Sequence, residues 1–416
     1  MATRFLKLIM AGMFIGGLCL VCTAMGEDNS RAEIVPASYE KMESQFSTCP
    51  NALYETIRGY MNVKAPSISN QHSMKLSVPG FCDDVPVKAV IQDHPAPLAV
   101  VLLGIGGSTS SDFSSLWPGW LANAGFNVLY FDSTFRPSMS DLINRGPGGN
   151  LWSEAEAVRD IISAYLAKEG GNVTKIGLVG MSYGGVEALI LGQMQAEGKL
   201  PFHFDSIQAY SPPIDMKKTA AILDDWFIRY RWCYKLTELS WQIKGYDFHQ
   251  DECANTLSDS IMKAAISASF HEDLTRVVKR EDGHYGLGLL HGGNEYDDSY
   301  MRELYAGKWG FEDYIYKMAL PYWRCQIGED KVDSLIDNTR LYNLLPHQPA
   351  VSETIIAEND PFDEPEDMAA LKNMTMPAGR LTLIPQGGHL GYVGDEWTKD
   401  KLLSLFAAPP YEAPRK

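Results

Sequence analysis

Residues 176–185 read Ile176-Gly177-Leu178-Val179-Gly180-Met181-Ser182-Tyr183-Gly184-Gly185. A short apolar run leads into a turn of small residues, and a helix-prone run from Val186 to Glu197 follows. The apolar run has the character of a buried strand. The pattern Gly180-x-Ser182-x-Gly184 therefore stands between a strand and a helix, the setting of a nucleophile elbow. Such a turn holds its serine in a strained backbone geometry and lifts the hydroxyl above the sheet. Glycines two residues to either side leave room where strand and helix crowd together. Ser182 also falls at a helix N-terminus, where amide N–H groups and the helix dipole favour negative charge. In a chain with 36 glycines the five-residue pattern alone can arise by accident, so its weight comes from the flanking strand and helix.

The surroundings repeat the same alternation. Met74–Pro79 and Val87–Gln92 read as strands around the Cys82-Asp83-Asp84 turn. Pro97–Leu103 is a continuous apolar run, as expected of a strand buried on both faces, and it breaks at Gly104-Ile105-Gly106-Gly107-Ser108. A helical run over Phe113–Ala124, a strand over Phe126–Phe131 and a periodic helix over Leu151–Lys168 come before the Ser182 strand. Asp205–Tyr210 is another strand, ending in Ser211-Pro212-Pro213. Strand and helix in turn, with short connections, predict an α/β fold with a mainly parallel, doubly wound sheet. Ligands bind at the carboxyl ends of such strands, where Gly104–Ser108, the loop at Asp132 and Ser182 all fall.

The alternation stops near Asp215 and resumes near Ser352. The intervening residues 216–349 are mostly helical in pattern and hold Trp226, Trp232, Trp241, Trp309 and Trp323. That is too long for a loop within a compact domain and reads as a helical cap insertion over the strand ends. Ordinary core packing accounts for most of its aromatic residues. Beyond it, Glu353–Ala357 is a strand ending in Glu358-Asn359-Asp360-Pro361, Pro365–Asn373 a short helix, and Leu381–Ile384 a strand ending in Gly387-Gly388-His389-Leu390-Gly391. Trp397–Ala407 is a closing helix. The organisation expected is residues 74–215 and 350–416 as the sheet-bearing core, 216–349 as the cap, and 27–73 as an N-terminal arm with a helix near Leu53–Met61.

Residues 1–26 differ from the rest. Arg4 and Lys7 precede an apolar stretch from Leu8 to Val21, and Ala24-Met25-Gly26 resembles a signal-peptidase site. This reads as a secretory signal, with an uncleaved N-terminal anchor as the alternative, and it predicts an exported, periplasmic or secreted protein with no stable membrane insertion once the signal is removed. Cys22 raises a lipoprotein reading, which the bulky Val21 before it disfavours. Export permits disulfides among Cys49, Cys82, Cys233, Cys253 and Cys325, and Cys49–Cys82 and Cys233–Cys253 are the local pairings to test first. The chain has 416 residues, 45% of them hydrophobic, and a formal net charge of −16. That charge argues against nucleic acid or an anionic membrane as the partner.

A serine hydroxyl needs a base to take its proton, a group to orient the base, and donors for the oxyanion that forms. His389, Asp360 and the loop at Gly104–Gly107 are candidates, each following an expected strand. Glu358 and Asp363 are rivals for Asp360. With Gly180-Met181-Ser182-Tyr183-Gly184, Asp360 in Glu-Asn-Asp-Pro and His389 in Gly-Gly-His-Leu-Gly, the chain resembles the α/β-hydrolase superfamily, in that superfamily's chain order of serine, acid and histidine. The resemblance covers about residues 87–215 and 350–408. It implies Ser182 as nucleophile, Asp360 as orienting acid, His389 as base, and the N–H groups of Tyr183 and Ile105 as the oxyanion hole. Leu103 stands where many relatives have histidine. Gly-x-Gly-Gly-Ser and Ser-Pro-Pro-Ile-Asp point within the superfamily to its esterase branch with a helical cap.

The competing readings are weaker on their residues. Gly104–Ser108 as a phosphate cradle lacks the Gly-Lys-Ser/Thr ending. His284, His291 and Glu295 as a metal cluster lack any zinc-ligand spacing. The expectation is a serine hydrolase without cofactor or metal, acting on a small or lipid-like carboxylic ester. A peptidase or amidase on the same triad, and a binding protein on a retired hydrolase fold, are the alternatives.

Overall fold

The computed structural model describes residues 34–36, 51–61, 63–244, 258–286, 290 and 307–406. The expected signal segment, the Trp232 and Trp241 side chains, the Cys233–Cys253 pairing, and His291 and Glu295 lie outside the described residues.

One nine-stranded sheet organises the chain. In sequence its strands are β1 (Ile34–Pro36), β2 (Gln71–Leu76), β3 (Val85–Val90), β4 (Ala96–Leu102), β5 (Asn127–Tyr130), β6 (Val173–Met181), β7 (Ser206–Tyr210), β8 (Ser352–Ala357) and β9 (Arg380–Ile384). Their order across the sheet is β1-β9-β8-β7-β6-β4-β5-β3-β2. Every pairing is parallel except those that β3 makes, with β2 on one side and β5 on the other. β4 and β6, at the centre, are the longest apolar runs, and their buried residues alternate between the two faces. Leu98, Val100 and Leu102 enter one core cluster, and Ala99, Val101 and Leu103 the other. Each such aliphatic side chain contributes about 1.5–3 kcal/mol relative to exposure.

The helices follow from the connections. They are α1 (Ala52–Met61), α2 (Asp112–Asn123), α3 (Pro137–Ile143), α4 (Leu151–Glu169) and α5 (Tyr183–Ala196). Right-handed crossovers divide them between the faces. α2 packs with the cluster of Val101 and Leu103, and α4 and α5 pack with that of Leu98 and Val100. Between β7 and β8 come the long α6 (Met216–Lys244) and α7 (Asp259–Tyr285), which pack along each other, and then the shorter α8 (Phe311–Tyr314), a π-turn (Ile315–Ala319), α9 (Leu320–Ile327), α10 (Glu329–Asp337) and α11 (Leu341–Leu344). This is the helical insertion expected from the pattern. After β8, α12 (Pro365–Lys372) and α13 (Glu396–Leu403) complete the fold, with α13 against α2.

Two expectations need correction. The strands expected at Met74–Pro79 and Val87–Gln92 begin earlier, at Gln71 and Val85. Pro86 does not delay β3, because the pairing with β5 starts only at Lys88, and at Pro86 the strand has β2 alone as neighbour. Cys82 is an exposed free thiol, so the Cys49–Cys82 pairing does not form; Cys325 is also free.

Candidate active site

The site begins with a backbone constraint. Ser182 has φ 51° and ψ −118°, a left-handed conformation that costs on the order of 1–3 kcal/mol for a non-glycine residue. Its neighbours leave no slack. A Cβ on Gly180 would collide with the Gly184 carbonyl, and one on Gly184 would stand 2.6 Å from the Leu103 carbonyl oxygen. The N–H of Ser182 donates to Tyr210 O at 2.8 Å, tying the turn to β7. The two glycines of the motif are thus places where strand, turn and helix touch backbone to backbone.

The structure brings Ser182, His389 and Asp360 together. His389 Nε2 lies 2.9 Å from Ser182 Oγ, and His389 Nδ1 lies 2.7 Å from Asp360 Oδ2. Ser182 and Asp360 are each 5% exposed and His389 is 1% exposed, so water competes little with either bond. Asp360 Oδ1 also accepts the N–H of Phe362 at 3.0 Å, which orients the carboxylate, and the Phe362 ring packs 4.6 Å from the imidazole. The two rival acids point elsewhere. Glu358 pairs with Lys372 at the surface, at 2.8 Å. Asp363 accepts the N–H of Ile214, and burial followed by the nearby Asp360 charge pushes its carboxyl well above the usual range. That burial favours the neutral form of Asp363.

The loop bearing His389 rests on α1. Its backbone turns through positive φ at Gly387, Gly388 and Leu390. The N–H of His389 donates to Thr56 Oγ1 at 2.9 Å, and Arg58 Nη2, paired with Glu55, donates to Gly391 O at 3.1 Å. At Gly59 helix and loop touch so closely that a Cβ would stand 2.5 Å from Leu390 O. Sequence reasoning placed a helix here but not its partner. The signal was a glycine inside a helix, which costs about 1 kcal/mol against alanine and so marks a close approach.

On the opposite side of Ser182, the turn Gly104–Gly107 closes with Gly107 N–H donating to Gly104 O at 2.9 Å. A Cβ on Gly104 would lie 3.9 Å from Ser182 Oγ, so this backbone borders the hydroxyl and Ile105 comes next in line. The N–H of Tyr183, at the first position of α5, has no acceptor within the helix. Tyr183 follows the serine directly and Ile105 follows the glycine that borders it.

Beneath Tyr183 is a cluster that the sequence reading missed. Tyr183 Oη donates to Glu154 Oε2 at 2.8 Å, and Gly149 N–H donates to Glu154 Oε1 at 2.5 Å. The Thr134 hydroxyl lies 2.7 Å from Glu154 Oε2 and 2.6 Å from Glu187 Oε1. It has one proton, so one glutamate must make the other bond as a neutral acid. Burial pushes Glu187 well above the carboxylate range, and the charge of Glu154 adds to this. Glu187 holds the proton, and Glu154 accepts from Thr134, Tyr183 and Gly149.

Two cavities meet at Ile105. A cleft of about 520 Å³ opens over Ser182, with apolar walls from Ile57, Phe113, Ile266 and Phe270 and polar ones from Arg136 and Arg276. An inner, apolar cavity of about 70 Å³ lies behind Ile105, among Phe135, Tyr183, Tyr314 and Trp323. Among the described residues no group of three or more His, Cys, Asp or Glu side chains is disposed to hold a metal ion.

No protein-family model and no curated protein matches the chain. Among solved structures it is similar to an esterase from Pyrococcus furiosus, at 13% identity over 82% of this chain and 98% of that one with a TM-score of 0.41. It is also similar to an inhibited esterase B from Lactobacillus rhamnosis (12%, over 85% and 88%, TM-score 0.41) and to a proline iminopeptidase from Mycobacterium smegmatis (15%, over 80% and 97%, TM-score 0.40). The fold itself is read from the chain's own backbone. A mainly parallel sheet in this strand order, with β3 alone reversed, helices on both faces and a strained serine elbow after β6, is the α/β-hydrolase fold.

Proposed function

We propose that the protein is a serine hydrolase that cleaves a carboxylic ester through an acyl-enzyme. The observation that carries this reading is the unbroken row from Ser182 Oγ through the His389 imidazole to Asp360, with gaps of 2.9 and 2.7 Å. Ser182 Oγ attacks the ester carbonyl while His389 Nε2 takes its proton. Asp360 holds Nδ1–H and stabilises the imidazolium that results. The N–H groups of Tyr183 and Ile105 donate to the tetrahedral oxyanion. On collapse, the proton on Nε2 passes to the departing alkoxide and the alcohol leaves. Water, deprotonated by the same nitrogen, then attacks the acyl carbonyl and frees the acid and the serine.

The substrate is a small or lipid-like ester with an apolar portion, a reading supported by the apolar walls of the cleft and the aromatic cavity behind Ile105. Export, read from the first 26 residues, is part of the proposal; no described helix is long and apolar enough to cross a membrane. A chain-length series of p-nitrophenyl esters, run beside matching anilides, is the test. Ester turnover is expected, and Ser182→Ala should lower kcat by about a thousandfold or more. Turnover of anilides alone would make the protein an amidase. Binding of both series without turnover would make it a binding protein.

A further inference from the structure

A second groove of about 620 Å³ lies beside the cleft over Ser182 and shares two of its wall residues. Every charged side chain on that groove's wall is basic: Arg136, Arg276, Lys279 and Arg280, with His284 at the far end. Arg136 and Arg276 line both spaces and form the neck between them. In a chain of net charge −16 such a wall does not follow from composition.

Among the described residues, four carboxylates meet the three arginines and His284. Arg276 pairs with Glu272 and with Asp273, the latter at 2.8 Å. Arg280 and His284 pair with Asp141, and Arg136 approaches Asp132 at 3.6 Å. Pairs of this kind, with the favourable place of cations near a helix C-terminus, account for the basic face of α7 taken alone. Arg136 lies outside that face, and its own ion pair, with Asp132, is a long one of 3.6 Å. It comes from a different segment, immediately before α3, and lines the same groove. Its Nη1 donates to Gly106 O at 2.8 Å, and its buried Nε faces Asp132 Oδ2 at 3.6 Å, too far for a hydrogen bond.

The neck already holds a carboxylate. Burial pushes the Asp273 carboxyl up, against the opposing pull of Arg276 and then Arg136. It rests on Gly106 (φ 67°), where a Cβ would run into it. Its Oδ1 accepts from Arg276 Nη1 at 2.8 Å, a charge-assisted bond that a substrate anion would have to share. Along α7 the side chains lining the cleft are apolar at Ala265, Ile266 and Phe270, then acidic at Glu272 and Asp273, and those lining the groove are basic from Arg276 onward. Six helical residues separate Phe270 from Arg276, about 9 Å along the axis.

We propose that the substrate is amphiphilic, with an apolar segment at Ser182 and an anionic group, a carboxylate or a phosphate, seated in the Arg136–Arg276–Arg280 groove. This rests on the serine-hydrolase reading. Asp273 is the internal competitor for the same donors, and its carboxylate repels the substrate anion.

The test compares kcat/KM within two pairs. One sets the mono-p-nitrophenyl ester of a dicarboxylic acid of roughly eight carbons, long enough to span that distance, against the neutral octanoate. The other sets a butyrate ester of a phosphate-bearing phenol against that of the methoxyphenol. The anionic member of at least one pair is expected to lead by about tenfold or more, and the pair that responds tells carboxylate from phosphate. Arg276→Gln and Arg280→Gln should each lower that ratio about fivefold, and Asp273→Asn should raise it. A merely disruptive substitution would lower both members together and leave the ratio in place. Cleavage of the neutral esters with no anionic preference in either pair, or a ratio unmoved by the arginine variants, overturns the proposal and leaves the hydrolase reading intact. No turnover of any ester, neutral or anionic, overturns both.

Discussion

Ser182 can hold its left-handed backbone because the residues around it are over-determined. Gly180, Gly184 and the bond to Tyr210 O fix the turn from three directions, and the hydroxyl is left pointing at His389. Tyr183 is fixed from below by Glu154, and its amide is the donor on which the oxyanion would lean. Tyr183→Phe keeps the ring and removes the tether. It should lower kcat about threefold to thirtyfold with little change in KM, because the donor it loosens acts mainly in the transition state. Steady-state kinetics beside a thermal melt separates that from loss of fold. Glu187→Gln should be close to neutral at pH 7, since the residue already carries a proton, whereas Glu154→Leu should cost about 2–4 kcal/mol by leaving buried donors unpaired. Denaturant unfolding of the two variants decides this. The triad candidates were legible in the sequence because each lies in a loop directly after an apolar run. Asp360 is preferred over Glu358 and Asp363 for its place before a proline at a strand end, but three carboxylates within six residues differ chiefly in where the loop turns them, which the geometry shows. The Glu154–Thr134–Glu187 cluster was not legible, because its members are polar residues on three separate segments with no shared periodicity.

At the scale of elements, α1 is the support that the site borrows from outside the sheet. Thr56 and Arg58 bond to the loop of His389, and Gly59 lets the helix lie against it. In a solvated helix, Gly59→Ala would add about 1 kcal/mol of stability. Here the added methyl meets the backbone of Leu390 and Gly391, so the account predicts a loss of about 1–3 kcal/mol instead, read from urea midpoints. Thr56→Val removes the acceptor of the His389 N–H and should cost about 1–2 kcal/mol and lower kcat through displacement of the imidazole. The helix itself was legible from its pattern, but its placement was not, because pairing between residue 56 and residue 389 leaves no local trace. The long insertion was legible for a simple reason: α/β alternation stopped for more than a hundred residues and then resumed. Which face of α7 it turned to Ser182 needed the coordinates.

For the molecule as a whole, the parallel strands put the four candidate loops at one end of the sheet, since β4, β6, β8 and β9 run the same way and each carries one at its carboxyl end. Apolar runs revealed the central strands. The edge strand β1 is three residues long and had no such signal. The protein also carries buried acids whose protonation couples its stability to pH. Burial raises Glu281 to about 7, and Asp395 to about 7. A carboxyl whose folded value lies above its unfolded one holds its proton better when folded. Its contribution is full below the ordinary carboxylate range and is lost as pH rises through about 7. Stability should therefore fall between pH 5 and pH 8, with Glu281 alone responsible for about 2–3 kcal/mol at most. Glu281→Gln should flatten that slope in denaturant unfolding across the range; an unchanged slope would remove Glu281 from the explanation.

The central claim is that Ser182 is the nucleophile, made reactive by His389 and Asp360. The measurement closest to it is mass-spectrometric mapping of the protein after reaction with a fluorophosphonate, in wild type and in Ser182→Ala, with both melts recorded. The account predicts one phosphonyl group per chain, on the peptide containing Ser182, and none on the variant. Equal labelling of both proteins, or no label on Ser182 in a folded wild-type protein, would contradict it.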